Sequence, residues 1–153
     1  MAGGALLLSL HLRARCQRDT LPPVTVTATT NVEKAVTRSF ERSFPDALDA
    51  QWYRISKNYL VRFMNDDQQN SALLKKNGNI IYHIAYGWEK DLPADVRMIV
   101  RKQYPDQTIS KVIRVEEQER KIWVITVEDR KKLILARIEN GELEEVGNYN
   151  KNS

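Results

Sequence analysis

Two stretches of the sequence place apolar residues three and four positions apart, the spacing of one face of an amphipathic helix. These residues are Val32, Val36 and Phe40 in the first stretch, and Val96, Val100 and Tyr104 in the second. Pro45 and Pro105 close the two patterns. Because proline disfavours helical geometry at the residue before it, the helices are predicted to end at Phe44 and Tyr104.

After each helical stretch, apolar and polar residues alternate with the two-residue period of a half-buried strand. The predicted strands are 48–56, 58–65, 70–76 and 79–88 after the first helix, and 108–117, 121–128, 131–139 and 142–148 after the second. Turn sequences such as Asn77-Gly78 and Asn140-Gly141 separate them. Because the connections are too short for parallel crossovers, the strands are predicted to form an antiparallel meander.

A short motif at the end of the first helix, Phe44-Pro45-Asp46, recurs as Tyr104-Pro105-Asp106 at the end of the second. A repeated motif in a repeated order of elements indicates a repeated unit. The predicted fold is therefore α+β with two layers, a tandem repeat of a helix plus a four-stranded antiparallel meander sheet. The predicted ranges are 1–29 for a leader and linker, 30–90 for the first repeat, 91–148 for the second repeat and 149–153 for a tail.

Residues 1–29 are predicted to be disordered or cleaved. The apolar run Ala5-Leu6-Leu7-Leu8-Ser9-Leu10 is far shorter than the roughly 20 residues of a membrane span, so no transmembrane segment is expected. Its arginines follow the run, whereas those of a secretory signal precede it. Two interpretations stay open, an imperfect export leader and a disordered start of a cytosolic protein. Periplasmic or secreted localisation is expected, with the cytoplasm as the alternative. Residues 24–29 fit either a short edge strand or a linker.

Aligning the two halves of the sequence predicts which side of the sheet each strand residue faces. Six apolar or aromatic residues alternate in the second strand of each half and are predicted to face the helices: Tyr59, Val61 and Phe63, and Trp123, Ile125 and Val127. In the first strand of each half, the apolar pairs are assigned to that same face: Tyr53 and Ile55, and Ile113 and Val115.

The opposite sheet face combines arginines with large apolar groups. The residues assigned to it as partner-binding are Trp52, Arg54, Arg62 and Arg114. Tryptophan and arginine are enriched at the hot spots of protein interfaces, so this face is predicted to contact a protein or peptide. For Trp52 an alternative stays open, packing under the N-terminal segment or the other half. Trp88 is expected to pack between the two halves.

Composition and charge exclude several functional classes. The 153-residue chain has a net charge of +4, and residues 1–30 carry half of that excess. The rest is near balance, which argues against nucleic-acid binding, since that needs a basic stripe or patch. The basic pair Lys75-Lys76 is interpreted as a solvated turn. The single cysteine, Cys16, excludes an intrachain disulfide.

The residues that carry catalysis or bind metals are sparse. Of the two histidines, His11 lies in the predicted leader and His83 lies in a predicted strand. One histidine without cysteine ligands does not make a zinc site. A Gly-x-Ser-x-Gly nucleophile motif and a phosphate-binding glycine loop are both absent from the sequence. We therefore expect no cofactor, no metal and no enzymatic activity, and His83 is interpreted as structural.

The sequence resembles the PepSY-like and β-lactamase-inhibitor-like (BLIP-like) domains of secreted and periplasmic bacterial proteins. The motifs that carry the resemblance are Phe44-Pro45, Trp52, Tyr59-Leu60-Val61-Arg62-Phe63, Lys76-Asn77-Gly78, Leu92-Pro93-Ala94-Asp95-Val96, Tyr104-Pro105, Trp123-Val124-Ile125 and Glu139-Asn140-Gly141. The resemblance covers roughly residues 30–148. The resemblance implies helix-plus-sheet units, often in tandem, in proteins of which some inhibit enzymes. No segment matches an inhibitory motif.

These observations favour a non-enzymatic, exported binding or inhibitor-like module that recognises a protein or peptide through the open sheet face. The alternative is a structural domain of the cell envelope that self-associates through the same face. An enzyme is the third hypothesis, and it requires a deep pocket that joins His83 to a carboxylate.

Overall fold

The computed structural model describes residues 25–152. The elements in chain order are β1 (Val26–Ala28), α1 (Lys34–Ser43), β2 (Leu48–Ile55), β3 (Asn58–Asn65), β4 (Gln68–Leu74), β5 (Ile80–Gly87), a 3₁₀ turn (Glu89–Asp91), α2 (Ala94–Gln103), β6 (Thr108–Glu117), β7 (Arg120–Glu128), β8 (Lys132–Glu139) and β9 (Glu142–Asn150). The nine strands form one sheet in chain order, and every neighbouring pair is antiparallel. The antiparallel meander predicted from the turn spacing is confirmed.

The helices end where the proline pattern predicts. Phe44 and Tyr104 are the first residues beyond α1 and α2, and their backbone N–H groups close the last helical turns at 2.8 Å. Both have a φ near −130° and a ψ of 67°, outside the helical region that a following proline disfavours. The sequence signal for the helix ends is therefore local and sufficient.

The N-terminal alternative is resolved in favour of a strand. Val26, Thr27 and Ala28 pair with Ile55, Arg54 and Tyr53, so β1 forms one edge of the sheet. The linker interpretation is wrong for these three residues. At the other end, β9 extends to Asn150 and takes in the first two residues of the predicted tail. The predicted leader, with His11 and Cys16, lies outside the described residues.

Both helices cover the same face of the sheet, over two separate cores. Val36 and Phe40 of α1 pack on Tyr59, Val61 and Phe63. The second core contains Val96 and Val100 of α2, with Trp123, Ile125 and Val127 of β7. The helix-facing assignment of the six residues in β3 and β7 is confirmed. The strand register places Phe63 in one row with Asn70, Ala85, Arg114, Trp123 and Ile138.

The sheet runs without a break between the two cores. Five residue pairs join β5 to β6, from His83–Glu116 to Gly87–Val112. The predicted boundary between residues 90 and 91 thus falls in a connection across a continuous sheet. The opposite side of the sheet, termed the open face below, carries no helix among residues 25–152.

Candidate functional site

Trp52 lies on the helix-bearing face, so its assignment to the open face is wrong. It pairs across the strands with Val61, and its ring meets the Phe40 ring edge-on at 5.2 Å and 76°. The half-buried indole therefore belongs to the core under α1.

Two of the three predicted arginines also lie on the helix-bearing side. Arg54 pairs with Tyr59, and its Nη1 donates a 2.8 Å hydrogen bond to the Tyr59 hydroxyl. Arg114 lies between Ala85 and Trp123 in the strand register. Their assignment to the open face is wrong for the same reason as for Trp52.

The error arises because, in the first strand of each half, the open side carries two large apolar residues whereas the helix-bearing side combines one with an arginine. Tyr53 and Ile113, assigned to the helices, pair with Leu60 and Val124 on the open face. A one-position error in facing moves every side chain of a strand to the other side. Each strand also carries a register shift at its start, one between Leu48 and Gln51 and one between Ile109 and Lys111.

Arg62 is the one predicted binding residue that the structure places on the open face. It lies between Gln51 and Ser71 in the register, and its guanidinium carbon is 5.3 Å from the Tyr53 ring centroid. No carboxylate lies within 4.0 Å of its nitrogens among the described residues. Within residues 25–152, Arg62 thus presents a positive charge without an ion-pair partner.

The open face carries two grooves that meet at Gln69 and Tyr86 and together form the open-face groove. The first, of about 330 Å³, is lined by Leu60, Arg62, Asn70, Ser71, Tyr82 and Ile84 besides the two shared residues. The second, of about 560 Å³, adds Met64, Asp67, Gly87, Trp88, Lys111, Val112 and Ile113. Neighbouring strands bring these side chains together in rows, such as Gln69–Tyr86–Ile113.

Exposed aromatic side chains concentrate at the second groove. Tyr86 is 43% exposed and Trp88 is 61% exposed, and both line it. The expectation that Trp88 packs between the two halves is wrong, because its side chain projects mainly into solvent. Isolated exposed apolar residues are common, but a cluster that lines one concave surface is typical of a binding site.

No protein-family model and no curated protein sequence matches the chain. Solved structures do match. A BLIP-like protein from Bacteroides fragilis superimposes with a TM-score of 0.63 at 16% sequence identity, over 80% of this chain and 88% of that chain. The chain has a BLIP-like fold. A DUF2874 family protein from Bacteroides ovatus gives a TM-score of 0.62 at 16% identity, over 80% and 89% of the two chains. A candidate periplasmic protein from Bacteroides eggerthii gives 0.59 at 15% identity, over 78% and 89%.

On the helix-bearing side of this BLIP-like sheet, a polar cluster separates the two cores. His83 is 7% exposed, and its Nε2 lies 2.8 Å from Asn70 Oδ1. The Asn70 amide nitrogen donates to the Gln68 carbonyl at 2.7 Å, which leaves its oxygen to accept from the imidazole. Neutral His83 therefore carries its proton on Nε2, and its Nδ1 lies 3.6 Å from Glu116 Oε2.

The surroundings of His83 favour its neutral form. The rings of Phe44 and Phe63 lie 4.7 and 6.1 Å from the imidazole, and burial lowers the pKa of His83 from its usual value. The negative charge of Glu116 opposes this shift, and Arg114 adds to it. The carboxylate of Glu116, which lies next to His83, is thus of the kind that the enzyme hypothesis requires. However, His83 lines none of the grooves described above, so its structural interpretation fits the geometry.

The burial of His83 should make stability depend on pH. The pKa of the folded state is lowered, whereas an unfolded histidine titrates near about 6.5. The unfolded chain then binds more protons as the pH falls below about 6.5, so the free energy of unfolding should decrease in that range and be restored above it. Urea unfolding between about pH 5 and 8 measures this dependence. The His83→Gln variant should lose this contribution to the pH dependence, and equal slopes for both proteins would contradict the assignment.

The described residues contain no cluster of three or more His, Cys, Asp or Glu side chains that could hold a metal ion. Within residues 25–152, neither helix has the length and apolar character needed to cross a bilayer.

Sequence reasoning missed most of the open-face groove. Tyr82, Ile84 and Tyr86 alternate with His83 and Ala85, and this alternation already places the three on one side of β5. The strand was interpreted only through its histidine. The available signal was that the face opposite a buried histidine is itself rich in aromatic and aliphatic groups.

Proposed function

We propose that the chain is a non-enzymatic binding module that recognises a protein or peptide through its open face. The observation that supports this is the open-face groove, where Tyr86, Trp88 and Met64 are exposed beside Arg62. Aromatic residues, methionine and arginine are the types enriched in interface cores. Helices cover the opposite face, whereas no helix of residues 25–152 covers this one, which supports a role for it in binding.

The finer architecture and the localisation belong to the same proposal. The order of a helix followed by four strands occurs twice, which supports a tandem repeat of two such units. An exported, periplasmic or secreted protein fits the candidate periplasmic protein among the structures with this fold. An inhibitor-like role is one form that such recognition of a protein partner would take.

A second function is supported by the same apolar face. Exposed apolar rows from several strands also suit contact with a second copy of the chain, as in an envelope-assembly domain. The two proposals differ in the identity of the molecule that covers Tyr86.

Site-specific photocross-linking should test the face and the partner together. A photoreactive phenylalanine analogue at Tyr86 should form a discrete cross-linked product in the native host. The same analogue at Met98, which is 67% exposed on α2, should not, because it lies on the opposite side of the sheet from the open-face groove. Mass spectrometry of the product identifies either another protein or the chain itself.

Substitution supplies the matched test. The double variant Arg62→Ala/Tyr86→Ala should reduce the yield of that product from a probe at Trp88 by about tenfold or more, since hot-spot residues contribute about 2 kcal/mol each. A product that consists of two copies of the chain would favour self-association. Equal yields from Tyr86 and Met98, or an unchanged yield in the double variant, would overturn the open-face proposal.

A further inference from the structure

A second concave surface lies at one end of the sheet, away from the open-face groove. The β2–β3 turn and the β4–β5 turn meet there around a cleft of about 550 Å³. The residues that line it are Arg54, Lys57, Asn58, Lys75, Lys76 and Asn77. Four cationic side chains and two amides thus surround one opening, and no acidic residue lines it.

Arg54 is fixed in orientation within this cleft. Its Nη1 donates to the Tyr59 hydroxyl at 2.8 Å and its Nε to the Ser56 carbonyl at 3.4 Å, and its guanidinium carbon lies 4.9 Å from the Tyr59 ring centroid. These contacts leave further N–H groups of the guanidinium to donate elsewhere. A pre-oriented donor loses little conformational entropy when it binds a ligand.

The turn that carries the lysines is also held in place. The Lys75 N–H donates to the Asn79 carbonyl at 2.8 Å, and the Gly78 N–H donates to the Lys75 carbonyl at 2.9 Å. The Asn77 side chain accepts from the Asn79 N–H at 3.0 Å. The lysines therefore project from a hydrogen-bonded turn.

The positive charge of the cleft is mostly uncompensated. Lys76 lies 3.4 Å from Glu33. Within residues 25–152, Arg54, Lys57 and Lys75 have no carboxylate within 4.0 Å. The net formal charge of the lining groups and Glu33 is thus strongly positive, and mutual repulsion among the cations opposes their proximity.

The turns in the same topological position of the other half have a different electrostatic character. There, Arg120 and Arg137 both contact Glu139, and Arg137 also lies 3.6 Å from Glu144. The arginines beside those turns are therefore ion-paired with glutamates of the same chain. Among the described residues, only Lys76 of the four cations that line the cleft has a carboxylate within 4.0 Å.

We propose that this cleft binds a phosphate group. A multiply charged oxyanion suits several cations and neutral N–H donors better than a single carboxylate does, because arginine and lysine make strong charge-assisted hydrogen bonds to phosphate oxygens. The two asparagine amides add neutral donors at the rim. The phosphate comes either from a free phosphorylated molecule or from a phospholipid headgroup. The proposal is independent of the open-face groove, since the two surfaces share no lining residue.

Calorimetric titration of the full chain with sodium pyrophosphate at constant ionic strength tests the proposal. The wild type should bind, and the Lys57→Gln/Lys75→Gln variant should bind about tenfold more weakly, which corresponds to about 1.4 kcal/mol. Both substitutions are in exposed turn residues, so the fold should be retained. Arg54 is left intact because its hydrogen bond to Tyr59 also supports the strand.

A control variant and a vesicle-flotation assay test whether binding depends on this cleft and which kind of phosphate it binds. The Arg130→Gln/Lys131→Gln variant removes the same charge from an exposed turn between β7 and β8 and should bind pyrophosphate like the wild type. Flotation with phosphatidylcholine vesicles that contain phosphatidic acid distinguishes the two sources of phosphate. If the wild type floats with the vesicles and the Lys57→Gln/Lys75→Gln variant does not, the ligand is a headgroup. If the wild type binds pyrophosphate but does not float, the ligand is a free phosphorylated molecule. No binding to either probe, or an equal loss in both double variants, would overturn the proposal.

Discussion

Replacing Trp52 with alanine should lower the free energy of unfolding by about 3 kcal/mol, the low end of the range for a tryptophan truncated in a core. The side chain is half-buried under α1 and meets the Phe40 ring edge-on at 5.2 Å. Truncation removes this aromatic contact and leaves a cavity beside Val61, which the surrounding strands fill only in part. Urea unfolding monitored by far-ultraviolet circular dichroism measures the change.

Trp88 provides the matched control, because it is the same residue type in an exposed position. It is 61% exposed at the end of the open-face groove, so Trp88→Ala should change the free energy of unfolding by no more than about 0.5 kcal/mol. If Trp52→Ala were as mild as Trp88→Ala, the face that the sequence pattern gives Trp52 would be correct and the register of β2 would be wrong.

The positions of the helices and strands are encoded locally, which is why the sequence predicts them well. Pro45 and Pro105 stop the helices at Phe44 and Tyr104 as expected. The bounds of β3 and β6 coincide with the predicted ranges. Each of these features depends on residues within a few positions along the chain, where proline, turn residues and alternation act directly.

Which side of the sheet the side chains of β2 and β6 occupy depends on how these strands pair with their neighbours. The pattern of residues along a single strand does not contain this information. The helix-facing side of β2 carries Trp52 and Arg54, while its open side carries Tyr53. Hydrophobicity ranks Tyr53 and Ile55 as the core side of that strand. The register with Val61 and Tyr59 reverses this ranking, and the arginine reaches solvent from the edge of the core.

The two candidate binding surfaces were hidden from the sequence for a related reason. The open-face groove gathers residues from β3, β4, β5 and β6, which only the completed sheet places side by side. The cationic cleft joins the β2–β3 and β4–β5 turns, and the sequence pattern indicates only that Lys75-Lys76 lies in a solvated turn. A binding surface on a meander sheet consists of residues that lie side by side on different strands. The sequence shows only which residues follow one another along each strand.

Gly78→Ala should lower the free energy of unfolding by about 3 kcal/mol, through strain in the backbone and a clash with α1. Gly78 has a φ of +91°, a region that costs other residues about 1–2 kcal/mol. A Cβ atom there would lie 2.6 Å from the Ala35 carbonyl oxygen and 3.1 Å from the Ser39 Cβ. The carbonyl belongs to the α1 backbone, so either the helix or the turn must move.

Gly141→Ala separates the strain from the clash. Gly141 also has a positive φ, +77°, in the turn between β8 and β9, but a Cβ atom there would meet no atom within 4 Å. Only the strain of the positive φ remains, so this variant should lower the free energy of unfolding by about 1 kcal/mol. The difference between the two variants then measures how closely the β4–β5 turn contacts α1. Equal losses would mean that the turn does not rest on the helix, and that Lys75 and Lys76 are not held over the cleft.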